Sequence, residues 1–348
     1  MFIGAEHQNL VYTGRIDWSN RKEPVFVFPC TSVAFRFTGD VLKVHVKNKN
    51  EYWNNYLGCI LDGEQFKFEL PKEGEGIIEL PVEKSGQEVH EALLFKRQDA
   101  CHEMSFCGIE LAETGELREP PVKPERRIEV YGDSVSAGEV NEAVEYVAKE
   151  DPEHSGEYSN AWYSYAWMTA RKLNAQIHDI AQGGIALMNH TGWYKEPDAI
   201  GMEYAWDKVH YNPFLGSASL WDFSLYTPDV VIVAIGQNDN HPVDYMKENY
   251  EDERAVKWRA HYKEFLKKLR AQYPDAQIVC CTTVLMHDAN WDKSIGQVVA
   301  ELADEKITQF QYKRNGAATP GHPRIPEDEE MATELAAYIE TLPVENWK

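Results

Sequence analysis

Positive charge is what this chain has least of. Lys and Arg number 35 against 57 Asp and Glu in 348 residues, a formal net charge of −22. Such a balance excludes nucleic acid and anionic membrane surfaces as partners, because both are held by Lys and Arg counter-charge. It fits a neutral or cationic small substrate. No segment approaches the roughly 18 apolar residues of a membrane span. The opening stretch, "MFIGAEHQNLVYTGRIDW", has neither a basic lead nor a continuous apolar core, unlike a secretory signal. A cytoplasmic location is therefore expected, or a secreted one if a leader has been trimmed. The six cysteines (Cys30, Cys59, Cys101, Cys107, Cys280 and Cys281) have no CxxC spacing, which points to reduced thiols rather than disulfides or metal ligands. H-x-x-x-H, H-E-x-x-H and EF-hand spacings are missing too, as are a Walker A loop and a dinucleotide glycine loop, so no metal and no cofactor is expected.

What is present is an ordinary soluble composition, 43% apolar and 26% charged, in a chain long enough for two domains. The two halves follow different patterns. Residues 1–118 read as strands: Val33, Phe35 and Phe37 alternate with smaller or polar neighbours, a "TGD" turn follows, and Leu42, Val44 and Val46 alternate with Lys43 and His45. That pattern predicts a hairpin. Further short runs, with a break at Asp62-Gly63, predict a β-sandwich or jelly roll. "REPPVKPERR" is Pro-rich and charged, a short stiff linker placed at 119–127.

From residue 128 onward strands and helices alternate. "RIEVYG", "AQIHDIA", "DVVIVAIG" and "AQIVCCTTV" read as strands, and "KITQFQY" as a weaker one. Trp258, Tyr262, Phe265, Leu266 and Leu269 repeat at three and four and predict an amphipathic helix ending near Pro274. "AWYSYAWMTARKL" reads as another, capped by Ser159 or Asn160, and "EDEEMATELAAYIETL" as the last. This alternation predicts a parallel sheet covered by helices on both faces, with ligands outside the carboxyl ends of its strands.

Four short blocks fall at those ends: "GDS" with Ser134, "AQGGIAL" with Gly184, "GQNDN" with Asn238 and Asp239, and "TPGHP" with His322. Acyl transfer needs a hydroxyl, a base to take its proton, and donors aimed at the oxyanion. Ser134 is the candidate nucleophile and His322 the candidate base. The N–H groups of Ser134 and Gly184 and the Asn238 amide are candidates for the oxyanion hole. Each block alone reads as turn chemistry or close packing; their order and shared position carry the joint reading.

In that order the blocks resemble the SGNH (GDSL-type) hydrolases, over residues 127–348. The resemblance implies a flavodoxin-like α/β/α domain, and the preceding β-sandwich resembles carbohydrate esterase family 2, whose members remove acetyl groups from xylan and glucomannan. One departure matters. Many SGNH enzymes carry Asp three residues before the histidine, where this chain has Thr319. A Ser-His dyad is therefore expected, with a main-chain oxygen near Thr319 or Pro320 orienting His322, and Asp288 and Asp292 as fallback partners.

Sugar rings present apolar C–H faces to indoles. Trp291, set among Asp288, Asn290 and Asp292, is the first candidate platform, with Trp193 and Asp239 as further substrate-binding residues. Trp167 and Trp258 lie in helical patterns and are assigned to packing. The expected substrate is an acetylated oligosaccharide. A second reading is a short-chain acyl esterase or lysophospholipase working on lipid-like or small esters. Chain-length preference separates the two, since a long acyl group needs an apolar tunnel and an acetyl group does not. A third reading, an inactive carbohydrate-binding protein, would fail to hydrolyse an activated acetate ester.

Overall fold

The computed structural model describes residues 1–82, 87–345 and 347. The first part of the chain forms two antiparallel sheets packed face to face. One runs Ile16–Asp17, Val25–Phe26, His102–Leu111, Leu42–Asn50 and Glu73–Leu80, with Phe2–Gly4 also on His102–Leu111. The other runs Val11–Thr13, Ser32–Phe37, His90–Lys96, Tyr56–Leu61 and Glu64–Glu69. Val33, Phe35 and Phe37 of one sheet and Val44, Val46 and Phe106 of the other fill the space between them.

The expected hairpin at "TGD" is not formed. Ser32–Phe37 pairs with His90–Lys96, whereas Leu42–Asn50 pairs with His102–Leu111, so the chain changes sheets at this turn. The alternating apolar residues of the two strands meet across the core instead of side by side. At Asp62-Gly63 the chain does make a hairpin, with Leu61 opposite Glu64 and φ of 52° and 88° at the turn residues. That conformation favours the Asp-Gly pair found there.

The second part holds five parallel strands: β1 (Arg126–Gly132), β2 (Ala175–Ala181), β3 (Val230–Ala234), β4 (Gln277–Cys280) and β5 (Ile307–Gln309). β1 starts two residues inside the expected linker. The sheet order is β2-β1-β3-β4-β5, the doubly wound order whose direction reverses between β1 and β3. Every residue of β3 is buried. Val231 and Val233 join one core with Trp258, Phe265 and Trp291, and Val230 and Ile232 join the opposite one with Tyr165 and Met331. Period-two alternation thus feeds both layers.

Among the helices that flank this sheet are α1 (Ser134–Ala137), α2 (Tyr165–Lys172), α3 (Glu253–Gln272), α4 (Ala289–Leu302) and α5 (Ile325–Ile339). All five periodic apolar residues of α3 are buried. The cap of α2 is Ser164, whose side chain accepts from the Trp167 N–H, rather than Ser159 or Asn160. Asn160 caps the short 3₁₀ turn just before it.

Candidate active site

The site lies where the sheet order reverses, outside the carboxyl ends of β1, β2 and β3. Burial of the "RIEVYG" strand forces the chain to turn at Gly132. A Cβ there would sit 2.0 Å from Ser136 Oγ, so only glycine lets α1 begin so abruptly. Asp133 caps α1 by accepting from Val135 N at 3.0 Å, and Gly138 ends it at φ 75°. Ser134 is therefore the first residue of a helix, where no intrahelical acceptor exists for its N–H.

His322 Nε2 lies 2.7 Å from Ser134 Oγ. The partner at its other nitrogen differs from the expectation. His322 Nδ1 donates to Asp151 Oδ2 at 2.6 Å, and no main-chain oxygen takes that place. Asp151 arrives from the loop between α1 and α2 and is held by several donors. Its Oδ1 accepts from His322 N at 2.9 Å and from Arg324 Nη2 at 2.7 Å, and His154 Nε2 lies 3.3 Å from Oδ2. Burial opposes its charged form, but the hydrogen bonds from His154 and His322 and the charges around it outweigh burial and hold the carboxyl far below the ordinary range. The fallback acids are used elsewhere. Asp288 caps α4 through Asn290 N, and Asp292 accepts from Thr282 Oγ1 at 2.6 Å and pairs with His287.

Burial also works against a charged His322, yet the Asp151 hydrogen bond and the Glu139 and Asp151 charges raise its pKa above the ordinary imidazole value. His154 is pushed up to about 10 by its bonds to Asp151 and Glu139, so it is cationic at neutral pH. Glu139 accepts from His154 Nδ1 at 2.9 Å and stands 3.9 Å from His322 Nε2.

Gly184, at φ 73°, lines the same cavity, and its carbonyl accepts from Trp193 N and Tyr194 N. A side chain there would meet the Trp193 Cβ at 2.9 Å. Beside it, Gly183 N donates to Asp99 Oδ2 at 2.7 Å, a carboxylate supplied by the β-sandwich. Asn238 also lines the cavity. Its amide nitrogen donates to Ile185 O at 3.1 Å and faces Asp133 Oδ2 at 3.4 Å, and these two acceptors fix the amide orientation.

The cavity has a volume of about 550 Å³ and is walled by residues of both parts of the chain, including Tyr52, Trp53, Glu139, Trp193 and Met286. Trp193 is 57% exposed and stacks on His241 with ring centroids 3.3 Å apart. Two expected sugar contacts are corrected. Trp291 is fully buried on the inner side of α4, packed against Tyr245 and Trp258. Asp239 is fully buried as well and accepts from Leu187 N at 2.8 Å and Met188 N at 3.3 Å, bracing the loop after β2. Burial pushes its carboxyl up to about 7. Trp167 and Trp258 are core residues, as their helical spacing predicts. Sequence reasoning missed Asp151, Glu139, His154, Tyr52 and Trp53; only Glu139 lies close to one of the four blocks, just behind α1 and its Gly138 cap. Gly321 was the available hint, because a small residue before the histidine leaves room for another segment.

A parallel sheet in this order, with serine, glycine, asparagine and histidine gathered at its strand ends, defines an SGNH-type hydrolase. Residues 130–317 match the family model described as GDSL-like Lipase/Acylhydrolase family, and residues 12–121 match Carbohydrate esterase 2 N-terminal. The chain belongs to the GDSL-like lipase/acylhydrolase family and, within it, has the two-part build of the family 2 carbohydrate esterases. Over 96% of its length it is 29% identical to the cellulase/esterase CelE of Acetivibrio thermocellus, of which it spans only 39%. Over 98% it is 25% identical to an acetylxylan esterase / glucomannan deacetylase of Cellvibrio japonicus, spanning 90% of that protein. A family two carbohydrate esterase from Clostridium thermocellum, solved with cellohexaose, superposes with a TM-score of 0.78 at 28% identity, covering 95% of this chain and 98% of that one.

Proposed function

We propose that this chain is a serine esterase that releases acetate from acetylated plant oligosaccharides of the xylan or glucomannan type. The observation that carries the reading is the unbroken run of hydrogen bonds from Asp151 through His322 to Ser134 at the wall of an aromatic-sided cavity. Ester hydrolase chemistry accords with the family and with relatives named as esterases.

In this reading Ser134 Oγ attacks the acetyl carbonyl while His322 Nε2 takes its proton. Asp151 keeps the imidazole in the tautomer that presents a lone pair to the serine and steadies the imidazolium. The oxyanion accepts from the N–H groups of Ser134 and Gly184. Asn238 adds a third bond by giving up its long 3.4 Å contact with Asp133. The tetrahedral intermediate then breaks its bond to the sugar oxygen, which takes the proton from His322. Water, deprotonated by the same imidazole, attacks the acetyl-serine and frees acetate and Ser134.

Acetyl is favoured over a long acyl chain because Asp99, Glu139 and His154 line the cavity, and an alkyl chain laid there would strip water from them. Tyr52, Trp53 and exposed Trp193 offer ring faces to the sugar. Acetate release from acetylated glucomannan, acetylated xylan and triacetin should fall by at least about 10⁴ in Ser134→Ala, the loss expected of a missing nucleophile. Equal rates for Ser134→Ala and wild type would favour the inactive saccharide-binding reading. Preference for a long-chain ester would favour the lysophospholipase one.

A further inference from the structure

A second cleft, of about 700 Å³, opens between the β-sandwich and the amino-terminal ends of β1 and β2. It is remote from the acyl-transfer site. Arg127, Gln176 and His178 line it near the starts of strands whose far ends carry Ser134 and Gly184, and a seven-residue strand is roughly 20 Å long. The two cavities share no lining residue.

Its floor is aromatic. His178 stacks on Tyr226 at 3.6 Å and 11°, with Trp221 set across it at 5.9 Å. Trp221 Nε1 and His178 Nδ1 are buried without a hydrogen-bond partner, although their side chains line the cleft and are only 7% and 5% exposed. Glu129 stands 3.8 Å from His178 Nδ1, but its oxygens already accept from Arg15, Tyr131 and Tyr273.

The rim is cationic. In a chain of net charge −22, the cleft gathers Arg21, Lys123 and Arg127 against Glu6 as the one lining carboxylate. None of the three cations forms an ion pair among the described residues. Burial holds His178 well below its ordinary pKa, and the charges of rim residues Lys123 and Arg127, with that of buried Arg15, push it the same way. Trp18 and Tyr12 add ring faces at the sandwich side.

We propose that this cleft is a second saccharide site, taking an oligosaccharide ring that bears a carboxylate. Apolar sugar faces suit the partly exposed Tyr12 and Trp18 rings, and the carboxylate suits the unpaired guanidinium and ammonium groups. The choice of saccharide rests on the esterase reading; the binding does not.

Titration calorimetry on the full chain would compare a glucuronate-bearing xylo-oligosaccharide with its undecorated counterpart. The decorated ligand should bind at least tenfold tighter. Lys123→Ala/Arg127→Ala should weaken that binding at least tenfold while leaving the unfolding midpoint and hydrolysis of an activated acetate ester unchanged. Equal affinity for both ligands, or unchanged affinity in the double variant, overturns the proposal. So does complete displacement by an equal concentration of sulfate, which would mark an adventitious ion only. Cleft binding that persists in a chain releasing no acetate would instead overturn the esterase reading and leave this one intact.

Discussion

At the scale of single residues, Asp151 decides how the imidazole works. It satisfies His322 Nδ1 from a loop about half the chain away in sequence, in a position that Thr319 leaves without an acid. His322 acts as a base only when neutral, so kcat/KM should rise as pH climbs through its raised pKa. Replacing Asp151 by Asn removes a charge that favours the imidazolium and offers an amide that can select the wrong tautomer. The plateau of kcat/KM should drop by about 10²–10⁴ and the rise should move to lower pH. A pH–rate profile checks both. A loss of folded protein would lower the plateau and leave the midpoint where it was, so an unmoved midpoint would count against the role given to Asp151.

At the scale of elements, the approach of two loops matters more than any helix. Gly321 has an ordinary backbone conformation, but a Cβ there would lie 2.6 Å from Asp151 Oδ1 and 2.7 Å from Lys149 O. Gly321→Ala should push the Lys149–Asp151 segment off the imidazole and cost tenfold or more in kcat, since misplacement of about 1 Å can cost about 10²-fold. If that is the cause, Asp151→Asn/Gly321→Ala should be no slower than Asp151→Asn alone, and a double-mutant cycle measures this. Additive losses would mean that Gly321 acts some other way. The same view explains what could be read from sequence. The four blocks were legible because this fold delivers its reacting groups beyond strand ends: three follow an apolar run directly, and the histidine block lies between β5 and α5. Asp151 was not, because no local spacing ties it to His322. Trp291 misleads for a related reason: its polar neighbours read as a loop, yet Asp288 among them is a helix cap, and one turn of α4 carries the indole inside. The "TGD" turn misleads because period-two strands look alike whether they pair or face each other across a sandwich.

At the scale of the whole molecule, the two parts share their cores. Val27, Phe28 and Ala100 of the β-sandwich belong to the cluster that contains Tyr131, Val233 and Trp258, and Cys30 and Phe95 belong to the cluster on the other face of the parallel sheet. Phe95 packs edge-on to Trp167 at 5.2 Å. Fully buried Arg15 donates from the sandwich to Trp206 O at 2.7 Å and Lys208 O at 3.0 Å, and pairs with Glu129 at 3.4 Å. Separating the parts would expose this charge pair and two patches of apolar surface at once, so neither part has an energetic reason to unfold before the other. Calorimetry should therefore record a single unfolding transition. Phe28 offers the sharper test, since it is 1% exposed, stacks near Tyr211 at 6.0 Å and takes no part in the acyl-transfer site. Phe28→Ala should cost about 3–5 kcal/mol, the usual loss for a buried phenylalanine. Because the residue is sequenced in one part and packed in the core of the other, the transition should move to lower temperature as one peak. Splitting into two peaks, with the second at the wild-type midpoint, would mean that the parallel sheet stands without the sandwich and that the shared core contributes little to its stability.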